Sequence, residues 1–178
     1  FEALRNAPRI VRIMVESSKL ADVGPMAAVA GALADLGLEA ALSKGAKAAV
    51  IEDGGEIAAF TDQPITISIF SGSANLSCRI GFRVRKGDCP IGIATSSGKT
   101  NALSFGEADS VTIITNKASL ADAAATSICN SVVGTNIEES IQLGLRRAQN
   151  IKGIRGVLIV REDRTGIWGR LPQVVKVK

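Results

Sequence analysis

The grouping of helical and β-branched sequence along the chain constrains the fold most strongly. Apolar residues recur at helical spacing in residues 8–20 and 25–45, and helical character returns in residues 119–133 and 137–149. Between these blocks lie short β-branched runs, "ITISIF", "LSCRIGFRV", "IGIAT" and "SVTIIT", separated by Gly, Asp, Pro or Ser clusters. Because helices and strands are segregated, we predict an α+β fold with helices packed on one face of a largely antiparallel sheet.

Two hairpins are predicted, and each follows a pair of helices. Gly54 and Gly55 separate two apolar runs and supply the positive φ angles of a tight turn. The hairpin near the end of the chain, "GVLIVREDRTGIWGRL", is predicted to turn at residues 163–166. A helix pair followed by a hairpin therefore occurs at residues 8–60 and again at 119–170, which suggests internal duplication without close residue identity.

Capping residues predict where individual helices begin and end. Pro8 suits the first turn of the first helix. Gly45 suits a left-handed cap after the second helix. Ser119 is predicted to be the N-cap of the third helix.

Length and apolar content predict one domain over residues 1–178. The 178 residues are 46% apolar, which is enough for one well-packed core and little for two. The sequence opens on Phe1, so we expect a start segment to be missing. The longest apolar run, residues 23–42, is rich in Ala and Gly and is interrupted by Asp35 and Glu39, so we expect no membrane span there.

The small residues of that run predict a close approach to its helix. They are Ala27, Ala28, Ala30, Gly31 and Ala34. Either another backbone or a flat ligand lies against this face, or the face packs tightly on the sheet. The same face, together with the sheet edges, suits a homodimer.

Cysteine usage and charge indicate the setting and the partners. Cys78, Cys89 and Cys129 form no CxxC pair, and with no signal peptide visible we expect a cytoplasmic location. The net charge is +4, and the chain has one Trp and no Tyr. Few aromatic side chains are available to stack on bases, so a small anionic ligand is favoured over nucleic acid.

The chain contains no histidine. Ser-His-Asp and Cys-His arrangements are therefore excluded, and the commonest zinc ligand is absent. Chemistry by this chain must depend on carboxylates, hydroxyls, Lys, Arg or a bound metal.

The stretch "GIATSSGKT" at residues 92–100 looks like a phosphate-binding loop but fails the Walker pattern. Five residues separate its two glycines where four are required, and a β-branched strand follows instead of a helix. Its hydroxyls and amides, in Thr95, Ser96, Ser97 and Gly98, still suit a pyrophosphate. An ordinary Ser/Thr turn explains the same sequence.

A carboxylate and a hydroxyl are predicted to share one helix face. Asp122 and Thr126 are four residues apart in "ADAAAT", and the alanines between them leave space above that face. Such oxygens suit a hard cation such as Mg²⁺. A solvated pair in the first turn of a helix is the alternative.

Four stretches, taken in order, resemble an uncharacterised ApbE-like family of archaeal and bacterial proteins. They are "VGPMAAVAGALAD", "AKAAVIEDGGEIAAF", "GIATSSGKTNALSFGEADSVTIIT" and "SLADAAATSICN", within residues 22–133. Through that family the chain more distantly resembles the ApbE flavin transferases. The resemblance implies an α+β fold of the tunnelling-fold kind, binding of FAD and Mg²⁺, and transfer of FMN to a Ser or Thr hydroxyl of an acceptor protein.

The resemblance also implies roles for particular residues. The flavin-nucleotide site would include Gly54, Gly55, Thr95, Ser96, Ser97 and Gly98. The metal would be held by Asp122, Thr126 and the backbone carbonyl of Ala94.

Two segments depart from the ApbE pattern. ApbE enzymes carry a His-containing segment and Asp-Pro-Arg-Thr-Gly where this chain has "NALSFGEAD", and Ala28 replaces a lysine of their early Gly-rich segment. Three hypotheses therefore stay open. They are Mg²⁺-dependent FMN transfer, ligand binding or assembly without catalysis, and metal-dependent hydrolysis of the dinucleotide.

Overall fold

The structure, a computed structural model, describes residues 2–69, 80–99 and 104–177. In chain order the elements are helix α1 (Arg9–Ala21), a 3₁₀ turn (Pro25–Ala28), α2 (Val29–Ser43), strands β1 (Ala49–Asp53), β2 (Glu56–Phe60), β3 (Ile65–Ser68) and β4 (Ile80–Val84), a second 3₁₀ turn (Lys86–Asp88), β5 (Ile91–Ser96), β6 (Ser110–Thr115), α3 (Ala118–Ser131), α4 (Ile137–Gln149), β7 (Gly156–Arg161), β8 (Arg164–Gly169) and β9 (Gln173–Lys176). The predicted α+β class is confirmed.

The described strands form two antiparallel sheets. The larger sheet has six strands in the order β1-β2-β5-β6-β7-β8, and the smaller has three in the order β3-β4-β9. Side chains alternate between the faces of β7: Val157 and Ile159 pack against α3 and α4, while Leu158 and Val160 pack against the smaller sheet. The helices therefore cover one face of the six-stranded sheet, as predicted, and the three-stranded sheet covers the other.

Glycine provides the turn geometry that the sequence predicts at two element ends. Gly54 and Gly55, with φ of +67° and +113°, form the two-residue connection between β1 and β2. Gly45, with φ of +90°, follows α2 after its C-cap residue Lys44. Both predictions are confirmed, because the left-handed region that these turns need is costly for residues with a Cβ atom.

Two local predictions are wrong. Helix α3 begins at Ala118 with Lys117 at the N-cap, because the Asp35 carboxylate from α2 caps this helix end and Ser119 lies inside its first turn. The last hairpin turns at Glu162 and Asp163, since β8 already begins at Arg164. Glu162 adopts the left-handed conformation there, with φ of +55°.

The small-residue face of α2 packs mainly on another helix. Gly31 lies against α3 so closely that a Cβ atom at this position would overlap the carbonyl oxygen of Ala118. Pro25–Ser43 has the length and hydropathy of a membrane span, yet in the fold it contacts α3, β1 and β2. Only 28% of this apolar window is buried in the fold, so packing against these elements explains part of its apolar composition.

Both halves of the chain contain the predicted order of two helices and a hairpin. The first pair precedes β1 and β2, and the second precedes β7 and β8, so the two hairpins lie at opposite ends of the six-stranded sheet. Internal duplication itself stays a prediction. The ends of the predicted strands at residue 70 and residues 76–79, including Cys78, lie outside the described residues.

Candidate functional site

Helices α2 and α3 cap each other where they cross. The Asp35 carboxylate of α2 accepts hydrogen bonds from the backbone N–H groups of Ala118 (2.7 Å) and Ser119 (3.0 Å) and from the Ser119 hydroxyl (2.6 Å). In return, Oδ2 of Asp122 on α3 accepts one from the backbone N–H of Gly31 at 3.0 Å. The crossing therefore fixes the position of Asp122 at the N-terminal end of α2, where the helix dipole favours a carboxylate.

A pocket of about 330 Å³ opens beside Asp122. It lies between the start of β2, the end of β5, the 3₁₀ turn before α2 and the second and third turns of α3. Its described lining consists of Met26, Ala27, Glu56, Thr95, Ser96, Ser104, Asp122, Ala125 and Thr126. Four residues predicted for the site, from two distant segments, thus line one cavity: Thr95 and Ser96 of β5, and Asp122 and Thr126 of α3.

Two carboxylates, those of Glu56 and Asp122, line this pocket, and the charge of Asp122 acts on Glu56. Burial, together with the negative charge of Asp122, raises the pKa of Glu56 to about 7. Burial also raises the pKa of Asp122 to about 6, although the hydrogen bond from Gly31 opposes the rise. No Lys or Arg side chain belongs to the described lining, so this part of the chain provides no cation to compensate them.

The hydroxyl groups of the pocket are held by short hydrogen bonds. The hydroxyls of Ser96 and Ser104 are 2.5 Å apart, and that of Thr95 is 2.9 Å from the hydroxyl of Thr112 on β6. Ser96 and Ser104 also lie within hydrogen-bonding reach of Cys129, where burial raises the pKa of the thiol and these two contacts oppose the rise. The pocket wall is therefore a set of oriented donors and acceptors.

Several residues predicted for the site are near this pocket but are not in its described lining. Gly54 and Gly55 form the turn that precedes Glu56, and the hypothetical Cβ of Gly54 would lie 3.4 Å from Oε2 of Glu56. Ala94 is fully buried in β5, which leaves its carbonyl as a metal ligand only a prediction. The structure therefore places four of the nine predicted nucleotide and metal residues in the lining of one pocket.

Ser97 and Gly98 serve the local turn. Oγ of Ser97 accepts a hydrogen bond from the backbone N–H of Lys99 at 3.1 Å, and the backbone N–H of Gly98 donates to the carbonyl of Ala108 at 3.0 Å. The Lys99 ammonium group is 2.8 Å from the carboxylate of Asp109. These contacts match the alternative of an ordinary Ser/Thr turn for this part of the loop.

A larger pocket of about 660 Å³ lies elsewhere, between α1, α2 and the start of α3. Three of its charged groups already have partners: Arg9 donates to Glu39 at 2.8 Å, and Asp35 caps α3. Size alone would favour this pocket, but its lining contains none of the residues predicted for the nucleotide or metal site. We therefore regard the smaller pocket as the candidate site.

Glu56 and Ser104 were missed by the sequence analysis. Glu56 directly follows the two glycines, so its place after a predicted turn and opposite the hydroxyl-rich strand end was the available signal. Ser104 offers no comparable pattern, because only tertiary packing brings it to Ser96.

The donor set of the pocket fits a magnesium ion. Mg²⁺ prefers carboxylate and hydroxyl oxygens, and it is usually bound by one or two carboxylates together with substrate phosphates and water. Asp122 has one carboxylate oxygen bonded to Gly31, which leaves Oδ1 for another partner, and the Thr126 hydroxyl lines the same cavity. Across residues 2–69, 80–99 and 104–177, no three His, Cys, Asp or Glu side chains form a closed metal cage. The site is therefore of the open kind, which leaves positions for a ligand.

The fold defines the class of protein. The chain superposes on a variant of the flavin transferase ApbE from Vibrio cholerae with a TM-score of 0.56 at 21% identity, covering 82% of this chain and 47% of that one. It superposes on the flavinyl transferase ApbE from Pseudomonas stutzeri with a TM-score of 0.57 at 17% identity, covering 88% and 49%. At these identities the likeness shows the ApbE fold alone.

Sequence comparison identifies the family. The family model described as "AbpE bacteria" matches residues 1–152, and the chain belongs to this ApbE-like family. A UPF0280 protein of Methanothermobacter thermautotrophicus is 42% identical over 94% of this chain and 66% of its own length. The chain spans about two thirds of the length of that relative and about half of the superposed ApbE structures.

Proposed function

We propose that the chain binds FAD and Mg²⁺ in the pocket beside Asp122 and transfers FMN to a hydroxyl group of an acceptor protein. One observation carries this proposal: Asp122, Thr126, Thr95 and Ser96, which come from distant segments, line a single cavity of about 330 Å³. A cavity of this size suits the pyrophosphate of a dinucleotide and the groups next to it rather than the whole molecule.

The charges of the pocket support a metal together with an anionic ligand. Glu56 and Asp122 would repel a pyrophosphate that entered alone, and the described lining contains no basic side chain to attract it. A divalent cation held by Asp122 and Thr126 would reverse this balance, because it supplies positive charge to both the carboxylates and the phosphates. The hydroxyls of Ser96 and Ser104 would donate to phosphate oxygens at the pocket wall.

The proposed reaction replaces the phosphoanhydride bond of FAD with a phosphate ester between FMN and the acceptor hydroxyl. The acceptor hydroxyl oxygen forms a bond to the phosphorus of the FMN moiety, the bridging P–O bond of FAD breaks, and AMP leaves while the hydroxyl loses its proton. Oriented donors and a nearby cation lower the cost of the charge that builds on the bridging oxygen. In this chain, Asp122, Thr126 and the serine pair are the groups placed to provide that environment.

A second candidate function is binding of the same ligand without transfer. It is favoured by the absence of histidine from the sequence and by Ala28, which is fully buried at the position where the ApbE pattern has a lysine. The absent histidine and the Ala28 replacement both leave the described pocket lining unchanged, so they concern transfer more than ligand binding.

Product analysis separates these functions. The purified chain would be incubated with FAD, Mg²⁺ and synthetic peptides that contain Ser or Thr, and flavin and nucleotide products would be resolved by chromatography and mass spectrometry. Peptide-bound FMN with free AMP is the expected result. Free FMN and AMP would indicate hydrolysis, and bound but intact FAD would indicate the binding function. No retained flavin at high micromolar FAD would contradict the proposal.

Matched variants test whether the pocket is responsible. Asp122→Asn removes the charge but keeps an oxygen that can accept from Gly31, so we expect it to abolish AMP release without unfolding the chain. Glu139→Gln, an equal change of charge in the first turn of α4, is the control and should leave the products unchanged.

A further inference from the structure

Glu56 lies at the turn end of the β1–β2 hairpin, next to Gly54 and Gly55. It is the first residue of β2 and pairs with Asp53, the last residue of β1. Strand alternation places Glu56 on the same face as Ala58, which packs against α2. The paired ladder between β2 and β5 ends at Ile57 and Ile93, so Glu56 lies where the two strands stop exchanging hydrogen bonds.

The surroundings of Glu56 leave its charge without a cationic partner among the described residues. Its side chain lines the same cavity as Asp122 and Thr126, and the described part of the chain makes no ion pair with it. A carboxylate that is partly removed from water beside a second carboxylate is costly unless a cation joins them. The position therefore calls for a positive ligand between the two side chains.

We propose that Glu56 is an additional protein ligand of the metal ion, beside Asp122 and Thr126. This inference rests on the proposed function, since it concerns the same Mg²⁺ site. Two carboxylates and one hydroxyl would supply part of an octahedral shell, and phosphate oxygens and water would complete it. The metal would then join the hairpin, through Glu56, to helix α3.

This assignment gives the two-glycine turn a role in the site. A Cβ atom on Gly54 would lie 3.4 Å from Oε2 of Glu56, so the turn passes close to the carboxylate. Gly55 donates its backbone N–H to the Glu52 carboxylate at 2.8 Å, which steadies the turn from its outer side. The hairpin acts as a positioning element for Glu56, and its glycines need not contact the nucleotide.

Binding of Mn²⁺ as a substitute for Mg²⁺ tests the assignment without reference to activity. Free Mn²⁺ would be measured by electron paramagnetic resonance during titration of the full chain, alone and with FAD present. We expect Glu56→Gln to weaken Mn²⁺ binding by about tenfold or more, and we expect the same of Asp122→Asn. Glu56→Asp should recover part of the loss.

Asp53→Asn is the matched control. Asp53 lies opposite Glu56 on the same hairpin and carries the same charge, but it does not belong to the described pocket lining. Loss of a nearby charge without loss of a ligand should weaken binding by about threefold or less. Thermal unfolding of each variant would show that the fold is kept.

The outcomes separate this inference from the proposed function. Wild-type affinity for Mn²⁺ in Glu56→Gln would overturn the ligand assignment, as would a wild-type chain that binds no Mn²⁺ at millimolar concentration with or without FAD. An equal loss in Asp53→Asn and Glu56→Gln would overturn it as well, because it would reduce the effect to general electrostatics. Mn²⁺ binding through Glu56 in a chain that retains no FAD would support the ligand assignment and contradict the FAD proposal.

Discussion

Asp35 and Asp122 are two carboxylates of the same helix crossing, and their environments differ. Each accepts hydrogen bonds from the first turn of the opposite helix. Asp35 receives three hydrogen bonds, from two backbone N–H groups and a hydroxyl, whereas Asp122 receives one and has a raised pKa of about 6. Among the described residues, Asp35 thus has most of its acceptor sites occupied, whereas Asp122 keeps free acceptor capacity and lines a pocket.

This difference separates a structural carboxylate from a candidate ligand. A helix N-terminus attracts a carboxylate wherever one is available, so capping alone does not identify a site. Asp122 differs in three ways: its carboxylate has unused hydrogen-bond acceptor sites, a second carboxylate, that of Glu56, is nearby, and it lines a cavity with hydroxyl groups. The comparison predicts that loss of Asp35 affects stability and that loss of Asp122 affects ligand binding.

The largest expected effect is that of Asp35→Ala on stability. It would leave the backbone N–H groups of Ala118 and Ser119 without their partner, and we expect a loss of about 3 kcal/mol in the free energy of unfolding. Urea denaturation would measure it. Glu39→Ala, one turn further along α2 in an exposed pair with Arg9, should cost far less, because an ion pair in water contributes little to stability. An equal loss of unfolding free energy in Asp35→Ala and Glu39→Ala would contradict a capping role for Asp35.

Gly31→Ala tests the closeness of the crossing itself. A Cβ atom there would overlap the Ala118 carbonyl, so the helices must separate, at a cost of about 2 kcal/mol. Because Gly31 also donates to Asp122, we expect Mn²⁺ affinity to fall together with stability. Gly24→Ala is the control, since a Cβ atom at Gly24 meets nothing within 4 Å. A stable Gly31→Ala variant would show that the crossing tolerates separation.

Two substitutions of Asp122 should distinguish its role as a helix cap from its role in metal binding. Asp122→Ala loses the bond from Gly31 and should lower the free energy of unfolding by about 1 kcal/mol, whereas Asp122→Asn should lower it by less. Both variants should weaken Mg²⁺ binding, by about tenfold or 1.4 kcal/mol. Isothermal titration with Mg²⁺ and urea denaturation measure the two roles. Unchanged Mg²⁺ affinity in both variants would reduce Asp122 to a helix cap.

A further expected effect is a dependence of stability on pH, whose size is reduced by solvent screening because Glu56 is only partly buried. In the metal-free chain the pKa of Glu56, about 7, lies above its unfolded value of about 4.3, so the folded state holds the proton more tightly. The resulting stability is present below pH 4.3 and is lost as the pH rises through 7. We therefore expect Glu56→Gln to gain melting temperature relative to wild type between pH 5 and pH 8 in EDTA. A difference that does not vary with pH would contradict the raised pKa.

Local patterns were enough to predict much of the fold. Helical spacing, β-branched runs and turn residues predicted the four α-helices and both hairpins of the described residues, because these signals depend on neighbours in sequence. The third helix shows the limit: Ser119 was a good N-cap by type, but Asp35 from another helix took that role. The cover of the second sheet face by β3, β4 and β9 was likewise not predicted, since it depends on pairing between distant segments.

The site was predictable where its residues belong to one element. Asp122 and Thr126 share a helix face by their spacing, and the structure places both in one pocket. Glu56 escaped prediction because its charge becomes costly only when the hairpin meets α3. Ser97 and Gly98 were predicted for the nucleotide site, but in the structure their polar groups form hydrogen bonds to Lys99 and Ala108 instead of lining the pocket.

Equilibrium binding of FAD in the presence and absence of Mg²⁺ tests the central claim most directly. Flavin fluorescence would follow the titration of wild type, Asp122→Asn and the control Glu139→Gln. We expect FAD binding that depends on Mg²⁺, is weakened about tenfold or more by Asp122→Asn, and is unchanged in Glu139→Gln. FAD binding that is the same in EDTA and in Asp122→Asn, or no binding at high micromolar FAD, would contradict it.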